Sequence, residues 1–199
     1  METSSSLLIK VRDQGDAESW REFVAIYERL IIGYCRKRGF ADDDARDIAQ
    51  DVFVRLLKAL PKFELDHTRG RFRTWLWQVT YSAMIDPKRA DRCRGAAEKA
   101  WQEQRIDPND REIWRKLVRR RVLDCALQKV RANTSDRTWD SFEKHLILGQ
   151  PAASVAAELG KSEGAVFTAA SRVLAQVREA CAQFMGELDD DGDDLSGGT

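Results

Sequence analysis

The chain has 199 residues, of which 33 are basic and 33 acidic, so its formal net charge is zero, and 43% of the residues are hydrophobic. That hydrophobic content excludes wholesale disorder, and no apolar run approaches the roughly 20 residues that cross a bilayer. The N-terminus lacks the pattern of a secretory signal, and the four cysteines form no Cys-x-x-Cys pair. We therefore expect a cytoplasmic protein with reduced thiols.

Hydrophobic periodicity predicts an all-α protein. Apolar residues recur at three- and four-residue steps over residues 20–34, 45–60 and 72–79, and again over 113–126 and 139–146. This spacing places them on one face of each helix. No stretch of the sequence alternates convincingly enough to predict a strand.

Local residues predict where the first helices begin and end. Asp16 or Ser19 is expected to cap the first helix, and Gly39 is expected to stop it. Pro87 would interrupt a continuous helix, so a break is predicted between the third helix and a new helix capped by Asp86.

The periodicity divides the chain into two small helical domains. Residues 91–110 lose the helical pattern and end in Asp-Pro-Asn-Asp, which is typical of an interdomain linker. The predicted organisation is an N-terminal segment (1–15), a first domain (16–90), the linker (91–110), a second domain (111–185) and an acidic, disordered tail (186–199).

The zero net charge conceals two basic segments. Residues 69–94 hold seven basic and two acidic residues, and residues 111–137 hold nine basic and three acidic residues. Part of the acidic counterweight lies in the tail, where residues 187–194 hold six carboxylates. Two basic segments suggest two contacts with a polyanion, although soluble Arg-rich helix faces would explain the composition equally well.

No motif of an enzyme or a metal site is present. The sequence has no phosphate-binding loop, dinucleotide-binding fingerprint or nucleophile elbow. His67 and His145 have no further ligand at the spacing of a metal motif. We expect no enzymatic activity, no catalytic residue, no metal and no cofactor.

The segment AASVAAELGKSEGAV indicates a helix-turn-helix. A short helix would end at Gly160 and a second would begin after Ser162, with Val155 and Leu159 packing on Val166. A purely structural helical hairpin is the alternative. In the DNA-binding interpretation, the outward residues at the major groove are Ser162, Glu163, Phe167, Thr168, Ser171 and Arg172.

The segment GRFRTWLWQVTY combines basic and aromatic residues on the third helix. Phe72 and Trp75 lie on the apolar stripe and are expected in the core. Arginines can follow a phosphate backbone and aromatic rings can stack on unpaired bases. The residues with this potential are Arg71, Arg73, Trp77 and Tyr81.

These motifs together resemble a known family. DDDARDIAQDVFVRLLKALPKF (42–63) and GRFRTWLWQVTYSAMID (70–86) resemble region 2 of bacterial RNA polymerase sigma factors, most closely the small extracytoplasmic-function type. Residues 138–179 resemble region 4 of that type, and Trp139, Phe142 and the string GAV…SRVLA are similar to variants common in planctomycetes. The resemblance implies two helical domains, a region 2 bundle and a region 4 helix-turn-helix.

The resemblance also implies partners and roles. Core RNA polymerase would be bound at its β′ clamp helices, through Asp47, Gln50, Asp51 and Arg55 in region 2, and its β flap would be a further contact. The −10 promoter element, with one strand unpaired, would be bound by Arg71, Thr74, Trp77, Gln78, Tyr81, Ser82, Lys88 and Arg89. The helix after Ser162 would read the −35 duplex, and an anti-sigma factor is a further partner of such proteins.

Several positions depart from the family pattern. Ser82 stands where relatives usually carry Asn, and Pro87 interrupts a helix that relatives continue. Ala169 and Ala170 stand where relatives tend to carry Arg or Lys, which predicts weaker phosphate contact. Two alternatives to a sigma factor stay open: a stand-alone helix-turn-helix regulator and a sigma-like adaptor that binds protein.

Overall fold

The computed structural model describes residues 4–13, 15–62, 72–86 and 108–185, and these residues form helices and no strand. The predicted all-α class is therefore confirmed. The described residues divide into two compact units, one ending at Arg121 and the other beginning at Val122. Within the described part of the chain, no helix is both long enough and apolar enough to span a membrane.

The described residues of the first unit form four helices and the start of a fifth. A short 3₁₀ turn, Leu60–Lys62, follows the third helix. The helices are α1 (Ser4–Lys10), α2 (Ala17–Lys37), α3 (Asp42–Ala59), α4 (Phe72–Met84) and the N-terminal part of α5 (Pro108–Ala132).

The second unit contains the rest of α5 and three further helices. A single π-helical turn, Glu143–Ile147, continues the first of these helices. The helices are α6 (Asp136–Phe142), α7 (Ala152–Leu159) and α8 (Glu163–Met185).

Asp16 rather than Ser19 caps α2. Its carboxylate accepts hydrogen bonds from the Ser19 backbone N–H at 2.9 Å and from the Ser19 hydroxyl at 2.7 Å. Gly39, with φ of 88°, follows the end of the helix as predicted. The bond to Asp16 satisfies the Ser19 backbone N–H, one of the groups that the first turn of a helix leaves without an intrahelical partner.

The cap makes the stability of α2 dependent on pH in the acid range. Hydrogen bonds from the Ser19 N–H and hydroxyl lower the pKa of Asp16 below its ordinary value. Because the folded-state pKa is the lower one, the contribution is fully present well above the unfolded-state pKa and is lost as the pH falls through the folded pKa. We expect an NMR titration of the Asp16 carboxyl to show this depressed pKa, and Ser19→Gly to raise it through loss of the hydroxyl bond. An Asp16 pKa at its ordinary value in the wild-type protein would contradict the prediction.

The predicted apolar faces of α2, α3 and α4 form the core of the first unit. Phe23 is fully buried, and its ring lies 4.7 Å from that of Tyr27, 6.3 Å from Phe53 and 5.8 Å from Phe72. The aromatic rings meet edge-on or tilted, the geometry that aromatic quadrupoles favour. Leu57, which the periodicity also assigned to this face, is 38% exposed.

The N-terminal part of α5 belongs to the first unit and packs on α2. Asp110 lies inside the predicted linker, yet it is fully buried and forms an ion pair with Arg38 at 3.0 Å. The Trp114 ring meets the Tyr34 ring edge-on at 5.4 Å. The helix therefore begins before the predicted linker ends, and the second compact unit begins at Val122 rather than at 111.

A second contact fixes the same part of α5. The Arg121 guanidinium donates hydrogen bonds to the backbone carbonyls of Ile26 and Ala25, at 2.9 and 3.0 Å. α5 is thus held on α2 at both ends of its first three turns. The rest of the predicted linker, and the predicted tail at 186–199, lie outside the described residues.

The second unit has the predicted helix-turn-helix. Val155, Ala156 and Val166 are buried together, and Leu159 packs against them. Gly160 ends α7 in the left-handed conformation, with φ of 59°. This positive φ is the backbone freedom that the tight turn needs from a glycine.

The π-helical turn alters one predicted position. Periodicity placed Leu146 with Trp139 and Phe142 on one apolar face, and the last two are buried. Leu146 is instead 44% exposed. A π turn contains more residues than an α turn, so the side chains towards its C-terminal end leave the buried face.

Two glycines give a matched pair of stability predictions. Gly160→Ala places a Cβ on a left-handed residue and should destabilise the protein by about 1–2 kcal/mol. Gly164 lies in the first turn of α8, where an added Cβ meets nothing within 4 Å. Gly164→Ala should therefore be neutral or stabilise by up to about 1 kcal/mol. Urea unfolding of both variants measures the difference, and equal midpoints would contradict it.

Candidate functional site

α3 presents an acidic face to solvent. Asp47 and Gln50 are exposed and Asp51 is half-buried, at the three- and four-residue spacing that places them on one helix face. Val54 lies seven positions after Asp47, on the same face, and is 50% exposed. Val54 was not among the predicted polymerase contacts, although the sequence already places it off the apolar stripe of α3. An exposed apolar side chain among carboxylates suits a protein partner.

Arg55 joins the acidic face of α3 to the end of α4. Its guanidinium donates to the Asp86 carboxylate at 2.6 Å and to the Ser82 hydroxyl at 3.3 Å. Arg55 was predicted to contact polymerase and Ser82 to contact −10 DNA. The structure brings these two residues together, so the two predicted surfaces are adjacent on the first unit.

α4 carries a polar stripe of predicted DNA contacts. Thr74, Gln78 and Ser82 are exposed at four-residue steps, and Tyr81 beside them is half-buried. The sequence predicts that Arg73 can follow a phosphate backbone. In the structure Arg73 is instead buried, with 6% of its surface exposed. Three further residues of the predicted −10 surface lie outside the described residues: Arg71, Lys88 and Arg89.

Trp77 is buried, whereas the sequence predicts that its ring faces solvent. It is 3% exposed, and its indole N–H donates to the Tyr34 hydroxyl at 3.2 Å. The Arg111 guanidinium lies 5.3 Å from the centre of its ring, in cation–π contact. Burial raises the pKa of Tyr34, which keeps that hydroxyl protonated. The ring of Trp77 is therefore part of the core and cannot stack on a base in this conformation.

The outward face of α8 is arranged as the sequence predicted. The Ser162 hydroxyl accepts a hydrogen bond from the Ala165 N–H at 3.2 Å and so caps the helix. All six residues predicted to face the −35 duplex are exposed: Ser162, Glu163, Phe167, Thr168, Ser171 and Arg172.

The structure changes the interpretation of Ala170, one of the two positions on α8 that depart from the family pattern. Ala170 is 1% exposed and Ala169 is half-buried. Ala170 belongs to the core of the unit. A basic side chain could not reach a phosphate from this position, so having alanine there costs no phosphate contact. The expectation of weaker contact applies at most to position 169.

Polar side chains hold the turn between α7 and α8 against α6. The Arg137 guanidinium donates to the Leu159 carbonyl at 2.9 Å, and the Lys161 ammonium donates to the Ser141 hydroxyl at 2.8 Å. The Lys144 ammonium donates to the Glu158 carboxylate at 2.6 Å, which raises the pKa of Lys144. These bonds position the start of α8 relative to the rest of its unit.

The described residues offer no metal site. No group of three or more His, Cys, Asp or Glu side chains comes together within the described ranges. His145 makes a 2.9 Å hydrogen bond with the Gln150 carbonyl through Nδ1, which must therefore carry the proton. His67 lies outside the described part of the chain.

Comparison with protein families shows what part of the first unit is similar to. Residues 23–93 match the model of sigma-70 region 2. These residues are therefore similar to a region 2. The match includes α3, α4 and most of α2, so the acidic face and the polar stripe both lie within the matched segment.

Curated relatives extend the likeness beyond region 2. The ECF RNA polymerase sigma factor ShbA of Streptomyces griseus is 25% identical over 176 residues, which cover 85% of this chain and 91% of that protein. SigW of Bacillus subtilis, also an ECF sigma factor, is 29% identical over 43% of this chain and 44% of its own length. The sigma factor NccH of Alcaligenes xylosoxydans is 32% identical over 38% of this chain and 39% of its own.

Among solved structures, CnrH in complex with the cytosolic domain of CnrY is 23% identical, with a TM-score of only 0.36. That alignment covers 87% of this chain and 93% of CnrH. The region 2 match and the curated relatives together support an RNA polymerase sigma factor of the ECF type, a protein of transcription initiation.

Proposed function

We propose that this protein is an extracytoplasmic-function sigma factor that binds core RNA polymerase in the cytoplasm and directs it to promoters. The observation that carries the proposal is the acidic face of α3 beside the polar stripe of α4, on one region 2. A sigma factor needs these two surfaces close together, because one holds polymerase while the other holds the opened promoter. The protein then acts by binding, without catalysing a reaction itself.

Core polymerase would bind the acidic face of region 2. Asp47, Gln50 and Asp51 offer carboxylates and an amide to a basic partner such as the β′ clamp helices, and Val54 adds an apolar contact. Arg55 would act indirectly, because its guanidinium is bonded to Asp86 and Ser82. The β flap would be a second contact of polymerase.

Promoter DNA would bind both units. The unpaired strand at −10 would lie along Thr74, Gln78, Tyr81 and Ser82, with basic residues 71, 88 and 89 completing the surface. The −35 duplex would be read by the outward residues of α8, in the manner of a region 4. Trp77 is not included, since its ring is covered. The finer likeness to planctomycete variants rests on Trp139, Phe142 and the string GAV…SRVLA, and an anti-sigma factor is a further proposed partner.

The proposal is tested by co-elution with bacterial core RNA polymerase at moderate salt. A stoichiometric complex is the expected result. The same run with a chain ending at Met185 controls for an acidic tail that shields the binding surface. If neither folded chain binds polymerase, the proposal is contradicted and a stand-alone DNA-binding regulator takes its place.

A further inference from the structure

Phe167 is an aromatic residue that α8 leaves exposed near its N-terminal end. Half of its surface is accessible, whereas Val166 beside it is fully buried in the helix-turn-helix core. Single exposed apolar side chains are ordinary on protein surfaces. Phe167 differs because it lies in the middle of the six outward residues that would enter a DNA groove.

A neighbouring side chain supports the ring. His145, in the π-helical turn, meets the Phe167 ring edge-on, with ring centroids 5.0 Å apart at an interplanar angle of 87°. The imidazole is itself fixed, because its Nδ1–H donates to the Gln150 carbonyl at 2.9 Å. The Phe167 ring is therefore held in place on one side while half of its surface stays available.

The polar neighbours of Phe167 restrict what it can contact. The Thr168 hydroxyl donates to the Gly164 carbonyl at 2.8 Å, so it is engaged within the helix. Arg172 and Ser171, one turn further along, are exposed and can bond to phosphates or base edges. In the major groove, the apolar feature that distinguishes one base from all others is the C5-methyl group of thymine.

We propose that Phe167 is a specificity residue that reads the C5-methyl group of one thymine in the −35 duplex, with His145 as its positioning residue. The inference rests on the proposed function, since it requires α8 to enter the major groove. It adds a base preference that depends on a methyl group rather than on hydrogen bonds.

Replacing thymine by uracil tests the inference, because it removes the methyl group and leaves every hydrogen-bonding atom unchanged. The full chain, assembled with core RNA polymerase, selects from two random duplex libraries, one containing thymine and one containing uracil throughout. In the −35 segment of the selected duplexes, wild type should favour thymine over uracil at one position by about fourfold, the effect of burying one methyl group.

Phe167→Ala should lose this preference, so that its ratio of thymine to uracil selection falls to about one, because the residue and the methyl group form one interaction. His145→Ala should lower the thymine-to-uracil ratio without weakening binding to the uracil library. Leu123→Ala removes another exposed apolar side chain of the same unit, 42% accessible, and should change neither quantity.

The outcomes separate the two proposals. If Phe167→Ala keeps the full thymine preference, the inference is overturned, and if that variant also loses polymerase, Phe167 contacts protein instead. The exposed Leu146, Ile147 and Leu148 near the same turn make that outcome a clear alternative. If wild type selects no motif at all from either library, the proposed promoter recognition fails, and the inference is overturned with it.

Discussion

The variant with Asp47→Lys and Asp51→Lys should bind core RNA polymerase at least about 100-fold more weakly than wild type. Both residues lie on the acidic face of α3, and the double change replaces two negative charges with two positive ones. Placing like charges against a basic partner costs several kcal/mol, and about 1.4 kcal/mol corresponds to a factor of ten in affinity. Titration of fluorescent polymerase at fixed salt measures the loss.

A matched control separates this effect from a general change of charge. Glu18 and Glu28 are exposed on α2, so Glu18→Lys with Glu28→Lys changes the net charge by the same amount on another helix. That control should bind within about threefold of wild type, since distant exposed charges are screened by salt. Wild-type affinity in the α3 variant, with its helicity intact, would remove the acidic face from the polymerase interface.

Asp110→Ala should destabilise the protein by about 3–5 kcal/mol, because it leaves a largely buried guanidinium without its carboxylate partner. Asp110 is fully buried, and Arg38, 3.0 Å away, has only 15% of its side chain exposed. Urea unfolding followed by circular dichroism gives the change in the free energy of unfolding.

Glu112→Ala is the control on the same helix. Glu112 pairs with Lys116 at 3.6 Å and Arg119 at 3.9 Å on the exposed side of α5, so its loss should cost less than about 1 kcal/mol. The combined change Asp110→Leu with Arg38→Met removes both charges and should recover most of the lost stability. A loss below about 1 kcal/mol for Asp110→Ala would show that the ion pair does not anchor α5.

The helices of the first unit could be predicted because their apolar residues repeat at helical spacing. Phe23, Tyr27 and Ile31 follow the helical period closely, so sequence spacing alone identifies the core side of α2. The helix-turn-helix was equally accessible, since Gly160 and Val166 carry a local pattern. These predictions depend only on residues within a few turns of each other.

The error at Trp77 came from a contact between distant parts of the chain. Trp77 lies off the apolar stripe of α4, and that position predicts an exposed ring. Its covering partners, Tyr34 and Arg111, come from α2 and from α5, and the second of these lay just beyond the predicted linker. A periodicity argument cannot reveal a partner of this kind.

The start of α5 could be predicted in part from the sequence. Pro108 at the first helical position and Asp110 in the first turn are ordinary signs of a helix beginning. The same Asp-Pro-Asn-Asp string is also typical of linkers, and for that reason the sequence predicts a loop there. The π-helical turn had no such sign, so the exposure of Leu146 was not predictable from the spacing of its neighbours.

The anchoring of α5 bears on how this protein can be cut or recombined. The family match ends at residue 93, yet the compact unit continues to Arg121 and also includes the buried Leu7, Leu8 and Val11 before the match begins. A fragment trimmed to the match would strip cover from Tyr34 and Trp77 and expose aromatic surface, which favours aggregation. Chimaeras that exchange promoter specificity between relatives should therefore be joined beyond Arg121, where the exchanged piece keeps its own packing.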